Sequence, residues 1–444
     1  MQNPSLFAVL REEGLTTLRI NYGWRTDKAV LSAAREWDDD VKWSDYKKEF
    51  YDSSALTSNN VHLSDRETRE TFQKHSSLEY LESVINLMRN GRHCLIECYY
   101  WKEKDVRFVG NVHNDVLGLN NRRQAIRGGG IRRHEPDEDE YDVIIDGLNL
   151  ARAMTFKNAA ARIPYGGSKL TVMSDPVDLE DMDEIGFLSY AVDRSRLFTG
   201  PDMGYPLELA DVMQESFTRS ITGGSKGPLG PTGTPTAYGV YLAAKQAAKF
   251  RFGSDSLKGK RIAVQGLGAV GLPLAGHYVG EGAQLVVTDI DEKAIANLRG
   301  KYPEASIDVL EPDEIYSARA DVFSPCAIGG ILTEDRIPEL KFKIIIGGAN
   351  NTLKATSQEE EYELARALDK AGILYQIDWW HNVGGVICGA EEYEKQEDAS
   401  MDNVLAKIEE ICTQDTWENL NRSAELGITP TESAYGSVEK MIYG

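Results

Sequence analysis

The rhythm of the second half constrains this chain more than any other feature. Short apolar runs, RIAVQ (261–265), QLVVTD (284–289), DVFSP (321–325), KIIIGG (343–348) and ILYQID (373–378), are separated by stretches long enough for crossover helices. Strands that alternate with helices line up in parallel and carry helices on both faces of one sheet. The expected fold is therefore α/β. It has two domains, an N-terminal α/β domain and a doubly wound parallel sheet of the Rossmann type.

The first of these strands runs straight into Gly266-Leu267-Gly268-Ala269-Val270-Gly271, and the next strand ends in Asp289. A bare G-x-G-x-x-G says little. Here a strand precedes it, a helical stretch follows, and an acid stands about twenty residues on, which is the arrangement that binds a dinucleotide. Gly266 permits the tight turn, Gly268 lets the backbone approach a pyrophosphate, and Gly271 lets helix and strand pack closely. The turn residues Ala269 and Val270 open the helix, whose N-terminus favours an anion. Asp289 is expected to accept from the ribose hydroxyls. With Asp291 beside it and Lys293 as the nearest base, the reading is NAD rather than NADP.

The first half carries the polar chemistry. Residues 153–175 read AMTFKNAAARIPYGGSKLTVMSD, which sets Lys157 and Lys169 apart by an AAA run and a Gly-Gly-Ser turn. Such glycines let a backbone come close to a ligand. A lone lysine is ordinarily a solvated charge, and a loop acid such as Asp202 in LFTGPDMGY (197–205) ordinarily caps a turn. The small residues around Lys157 leave little bulk to cover it and suit the wall of a cleft.

Composition narrows the function classes. With 444 residues the chain is long enough for two or three domains. Its 41% hydrophobic and 27% charged residues support sizeable cores. A formal net charge of -21 repels nucleic acid and anionic membranes, so neither is an expected partner. The apolar run Leu6 to Leu10 is shorter than the about 7–15 residues of a secretory signal. No run approaches the about 18–20 apolar residues of a membrane span. Cys94, Cys98, Cys326, Cys388 and Cys412 form no framework pattern, which points to reduced thiols and a cytoplasmic protein. His93, Cys94 and Cys98 invite a zinc reading. No second ligand pair stands at zinc spacing, and HCLIECYYW alternates like a strand, so no metal is expected.

Residues 1–92 read as mainly helical, with Trp24, Trp37 and Trp43 as packing anchors, followed by strands at 93–101 and 105–113 and a helix at 141–154. Helices at 400–444 are expected to pack back on the first domain. That gives a substrate-binding and oligomerisation domain of 1–225 with 395–444, and an NAD-binding domain of 226–394.

Eight motifs in order carry a resemblance: MTFKNAAA with GGSK, GPDMG, PTAYGV (235–240), VQGLGAVG (264–271), VVTDID (286–291), SPCAIGG (324–330), GGANN (347–351) and NVGGVI (382–387). Over residues 105–444 the chain resembles the amino-acid dehydrogenases of the glutamate, leucine, phenylalanine and valine group, most of all the leucine and phenylalanine enzymes. The resemblance implies oxidative deamination of an L-amino acid and a homo-oligomer. It implies that Lys157 holds the substrate carboxylate, that Lys169 activates water, and that Asp202 exchanges protons with the amine. Gly129 and Gly130 would line the carboxylate site. Thr236 would stand near the nicotinamide carboxamide, and Asn350 would touch both substrate and nicotinamide. Val386, Gly200 and Gly389 would belong to the substrate pocket.

Elementary chemistry agrees. A fixed cation must hold the carboxylate, and water must be deprotonated near neutral pH. A lysine serves as that base once burial and a neighbouring cation depress its pKa. The departures from the family pattern are GGSK for GGGK, and an expanded loop 118–130 with Arg122, Arg123 and Arg127. By the same resemblance Gly389 stands where leucine-type enzymes carry a bulkier apolar residue, Gly200 where they carry alanine and phenylalanine-type enzymes carry glycine, and Gly128 near an apolar pocket position. These imply a roomy pocket for a large apolar, even aromatic, amino acid, with branched-chain substrates as the alternative. A non-catalytic NAD-binding sensor would not need both Lys169 and Asp202. A hydroxy-acid dehydrogenase would have no use for a carboxylate aimed at an amine.

Overall fold

The computed structural model describes residues 4–47, 56–119 and 126–444. Arg122 and Arg123 lie outside the described residues. The chain forms two compact units. One comprises Met1–Asn158, Pro164–Pro231 and Glu392–Ala399; the other comprises Ala159–Ile163, Thr232–Glu391 and Ser400–Gly444.

The first unit is built on a nine-stranded mixed sheet, counted among the described residues. Its path runs Val61–Leu63, Lys28–Arg35, Thr17–Gly23, Leu95–Trp101, Val106–Asn114, Gly166–Met173, Arg127–Gly128, Leu197–Phe198, and Ile131–His134 pairs with Gly166–Met173 as well. Every residue of Leu95–Trp101 is buried. Successive side chains of a strand point to opposite faces, so this strand feeds two cores. Ile96, Cys98 and Tyr100 join Leu6, Phe7, Val84 and Met88 on one side; Tyr99 and Trp101 join Trp37, Trp43, Ile185 and Phe187 on the other.

The reading of 1–92 as mainly helical is corrected here. Thr17–Gly23 and Lys28–Arg35 form an antiparallel hairpin inside the sheet, because Leu18, Ile20 and Tyr22 recur at period two and bury one face. Trp37 and Trp43 are core residues, and Trp24 is partly buried against the other core. Cys98 is fully buried in that packing and His93 nearly so. Among the described residues no group of His, Cys, Asp or Glu could hold a metal ion.

The second unit holds a six-stranded sheet, all parallel, in the order Ile307–Val309, Gln284–Thr288, Arg261–Gln265, Val322–Pro325, Ile344–Ile345, Leu374–Tyr375. The strand order reverses between Arg261–Gln265 and Val322–Pro325, where open α/β sheets bind their ligands. The C-terminal helices do not return to the first unit as expected; only Glu392–Ala399 does. Met401–Glu409 and Thr416–Leu426 pack on helix Gly233–Phe252, and Pro430–Tyr443 packs on Gln358–Lys370. Their apolar stripe of Val404, Ile408, Leu420 and Tyr435 is buried there, with Tyr435 ring-to-ring at 5.1 Å from Trp379. Among the described residues no helix is long and apolar enough to cross a membrane.

Candidate active site

Two glycines explain how the lysine segment is built. Gly166 and Gly167 open the strand Gly166–Met173, so Lys169 stands on a strand and not after a turn. A Cβ on Gly166 would lie 1.9 Å from the Asn114 carbonyl oxygen, and one on Gly167 would lie 2.1 Å from the Thr155 amide nitrogen. The pair therefore serves the protein's own packing. It seats the strand between its neighbour and helix Glu140–Ala160, and Asn158 Nδ2 then donates to the Gly166 carbonyl at 3.0 Å. Lys157 lies on that helix, two residues beyond Thr155, and is 7% exposed; Lys169 is 5% exposed.

Lys169 and Asp202 meet. The ammonium donates to Asp202 Oδ2, and Arg132 Nε donates to the same oxygen at 3.3 Å. Arg132 also donates through Nη1 to both oxygens of Asp146, at 3.2 and 2.9 Å. His134 faces Asp146 at 3.4 Å on one nitrogen and Glu138 at 2.9 Å on the other. Gly130 is the floor of the pair: a Cβ there would stand 2.9 Å from Lys169 Nζ and 3.2 Å from Asp202 Cβ. Gly129 lies against the Ser168 carbonyl, 1.8 Å from where its Cβ would be. Asp202 keeps 30% of its side-chain exposure against 7% for Lys169, so the carboxylate is the accessible end of the pair.

The electrostatics follow from this packing. Burial, aided by Arg132, pushes the Lys169 pKa down and outweighs the pull of Asp202. Burial would raise the Asp202 carboxyl, but Lys169 and Arg132 outweigh it and hold the group well below the usual range. Asp146 behaves alike: burial opposes ionisation, and His134 and Arg132 prevail. Arg132, Asp146 and His134 went unread in the sequence as site residues. One signal was available: Asp146 and Lys157 lie eleven residues apart on one helix, three turns, and so share a face.

In the second unit the glycine turn has the form expected. Gly266 has φ +87°, which favours glycine, and a Cβ on Gly271 would fall 1.9 Å from the Gly266 carbonyl oxygen. Gly268 is exposed, and nothing lies within 4 Å of where its Cβ would be. Ala269 is likewise exposed, and Val270 is half-buried. Asp289 accepts from the Leu267 amide at 2.5 Å and, through its other oxygen, from the Asp291 amide at 2.8 Å. Each carboxylate oxygen retains acceptor capacity beyond that bond. An open glycine cradle, a helix start and a fixed acid fit a dinucleotide.

Thr236, in the first turn of Gly233–Phe252, donates to the Thr232 carbonyl at 2.9 Å. Asn350 is exposed, and its Oδ1 accepts from Asn382 Nδ2 at 2.9 Å, which ties the GGANN and NVGGVI motifs together. Val386 and Gly389 are buried on helix Gly384–Lys395, three residues apart and hence on one face.

Two glycines do not open space as expected. A Cβ on Gly128 would lie 2.4 Å from Phe198 Cε1, so Phe198 already fills that volume. A Cβ on Gly200 would face the Thr222 carbonyl oxygen at 3.0 Å. Both positions are small because the protein itself occupies the room.

Residues 119–208 match the family model described as Glu/Leu/Phe/Val dehydrogenase, dimerisation domain, and residues 286–438 match that of Glutamate/Leucine/Phenylalanine/Valine dehydrogenase. The chain is 39% identical over 331 residues to leucine dehydrogenase of Thermoactinomyces intermedius, covering 71% of this chain and 84% of that one. It is 37% identical over 343 residues to phenylalanine dehydrogenase of Lysinibacillus sphaericus, covering 75% and 84%. The solved structure of L-tryptophan dehydrogenase from Nostoc punctiforme is similar at a TM-score of 0.63 and 29% identity, over 81% of this chain and 98% of that one.

Proposed function

The chain belongs to the glutamate/leucine/phenylalanine/valine dehydrogenase family, and we propose that within it the protein is an NAD-dependent dehydrogenase of large apolar L-amino acids, aromatic ones included. It is an oxidoreductase of CH–NH2 groups that reversibly deaminates a hydrophobic amino acid to the 2-oxo acid and ammonia. The observation that carries the residue assignment is the pair of buried Lys169 and half-buried Asp202 on the floor made by Gly130.

In this reading the first unit binds the substrate and assembles a homo-oligomer, and the second binds NAD. Lys157 holds the α-carboxylate beside Gly129 and Gly130. Asp202, the accessible end of the pair, meets the α-amine and takes a proton from it. The largest pull on Asp202 toward ionisation is the Lys169 charge, so Asp202 accepts that proton most readily when Lys169 is neutral. Bound NAD supplies the acceptor for the hydride that leaves Cα. Lys169, whose depressed pKa makes the neutral amine accessible, then removes a proton from the water that attacks the iminium carbon. Asp202 returns its proton to the nitrogen; Lys169, having released its first proton to solvent, takes the carbinolamine hydroxyl proton, and ammonia leaves as the C–N bond breaks and the C=O bond forms. Arg132 positions Asp202 and keeps Lys169 from holding its proton.

Gly268, Ala269, Val270 and the helix start would receive the pyrophosphate. Asp289 would receive the adenosine ribose, Thr236 the carboxamide, and Asn350 both ligands. Asp289 beside Asp291 repels a 2′-phosphate, which favours NAD. Val386 and Gly389 would line the side-chain pocket; with Gly128 and Gly200 accounted for by Phe198 and Thr222, the case for a roomy pocket rests on Gly389. The five cysteines form no disulfide with one another, which supports a cytoplasmic site of action.

The test is a panel of the twenty L-amino acids with NAD and NADP in parallel, reading reduced dinucleotide. The proposal expects NAD to be preferred and phenylalanine, tryptophan or leucine to lead. Preference for valine would overturn the size reading, and preference for NADP the ribose reading.

A further inference from the structure

Away from the lysine pair, the first unit has a cavity of about 270 Å³ with four arginines around it: Arg19, Arg127, Arg194 and Arg196, together with Asn21 and Glu97. In a chain of net charge -21 this concentration of guanidinium groups runs against the average. Three carboxylates offset them in part. Glu36 pairs with Arg19 at 2.7 Å and Arg194 at 3.0 Å; Glu97 pairs with Arg19 at 3.2 Å and faces Arg127 at 3.9 Å; Asp115 lies 3.6 Å from Arg127. Four cations against three anions leave one positive charge in excess. Arg196, exposed and at φ +53°, forms no ion pair among the described residues.

The floor of the cavity is buried and incompletely satisfied. Arg127 is 7% exposed and Glu97 6%. Arg127 Nη1 donates to the Ser195 carbonyl at 2.9 Å, yet its buried Nε has no hydrogen-bond partner among the described residues, and neither has Glu97 Oε2. Those two atoms are sealed from solvent, so a ligand in the cavity meets other atoms of the Arg127 side chain, which lines it. Guanidinium forks match tetrahedral oxyanions in shape and charge. At about 30 Å³ per water the space holds one phosphate-sized anion with a few waters.

We propose that this cavity binds a phosphate-class oxyanion, with Arg127 and Arg196 as its principal donors. Its position would join it to the catalytic pair. Arg127 opens the strand Arg127–Gly128, which pairs in parallel with Leu197–Phe198, and its amide donates to the Arg196 carbonyl at 3.4 Å. A few residues on, these two segments carry Gly129–Gly130 and Gly200–Asp202. An anion bridging Arg127 and Arg196 therefore clamps the upstream ends of both segments that shape the Lys169–Asp202 pair.

The test is calorimetric titration of the full chain with inorganic phosphate, at ionic strength held constant with chloride and with NADH present to fill the glycine cradle. One phosphate per chain is expected, weakened at least about tenfold, or 1.4 kcal/mol, in Arg196→Ala. Because Arg196 is exposed, that variant should melt like the parent in chloride, which separates lost binding from lost folding. Methyl phosphate in the same titration decides between free phosphate and a phosphate monoester as the source. Absence of binding, or equal affinity in parent and variant, overturns the proposal. So does a change in the oligomer of Arg196→Ala without phosphate binding, which would mark the arginines as a seat for an acidic partner surface.

Discussion

The Lys169 amine packs against the space left by the side chain that Gly130 lacks: a Cβ there would stand 2.9 Å from Lys169 Nζ. The ammonium is pinned between that backbone and the Asp202 carboxylate. Gly130→Ala should push the amine aside without touching the glycine cradle of the second unit. A misplacement of about 1 Å costs up to about 100-fold in rate. The expected outcome is a fall in kcat of about that order with dinucleotide affinity unchanged. A normal kcat would show that the lysine need not sit there.

Removing the amine outright is the sharper experiment. Lys169→Ala should lower kcat by at least about 100-fold, the low end of what a positioned base contributes, again with dinucleotide binding intact. Turnover close to that of the parent would remove Lys169 from the mechanism.

Arg132 predicts a direction on the pH axis. It is a cation that depresses the Lys169 pKa, and the proposed mechanism needs the neutral amine. Arg132→Gln removes that repulsion, so the lysine holds its proton to higher pH. The rising acid limb of kcat/KM should move to the alkaline side relative to the parent. A limb that stays put or moves to lower pH would mean that another group titrates there.

These predictions divide by how they could be read. The dinucleotide turn was legible because its signal is local. Gly266, Gly268, Gly271 and Asp289 fall within one strand–turn–helix–strand unit, where spacing fixes geometry. Lys157, Lys169 and Asp202 are picked out as candidates only by eight ordered motifs, since a lone lysine or loop acid carries no signature; the structure pairs Lys169 with Asp202. Arg132 and His134 stayed hidden because their partners, Asp146 and Asp202, come from a helix and a distant loop. The hairpin at Thr17–Gly23 carried its period-two pattern openly and was lost among the polar residues around it. The glycines misled because a missing side chain shows a vacancy without showing what fills it.

His134 gives a prediction about stability. Burial works against its charged form, but Asp146 and Glu138 outweigh it and raise the pKa above the ordinary 6.5. A group whose folded pKa is raised stabilises fully below its unfolded value, and that contribution is lost as pH rises through the folded value. The loss of Tm in His134→Gln should therefore be larger at about pH 5.5 than at about pH 9. An equal loss at both would mean that the imidazole contributes by packing alone.

The remaining prediction concerns which glycine reads the substrate. If Gly200 opened the pocket, Gly200→Ala would penalise large substrates. Its Cβ would instead meet the Thr222 carbonyl oxygen at 3.0 Å, in a segment held by Thr199 N–H to the Ser220 carbonyl and Thr222 N–H to the Thr199 carbonyl, both 2.8 Å. The methyl presses on backbone, and overpacking of that kind costs about 1–3 kcal/mol of stability. Gly200→Ala should melt earlier and lose activity toward phenylalanine and leucine alike, leaving their ratio unchanged. Gly389 is different. It is buried one turn from Val386 on helix Gly384–Lys395, and a methyl there should set the ratio. One methylene of mismatch in an apolar pocket changes specificity by about 10–200-fold, so Gly389→Ala should move the balance toward leucine by about that factor. The measurement is kcat/KM for phenylalanine and leucine in the parent and both variants. A ratio that follows residue 200 and ignores residue 389 would reverse the assignment, and would require the Thr199–Thr222 segment to yield where its hydrogen bonds now hold it.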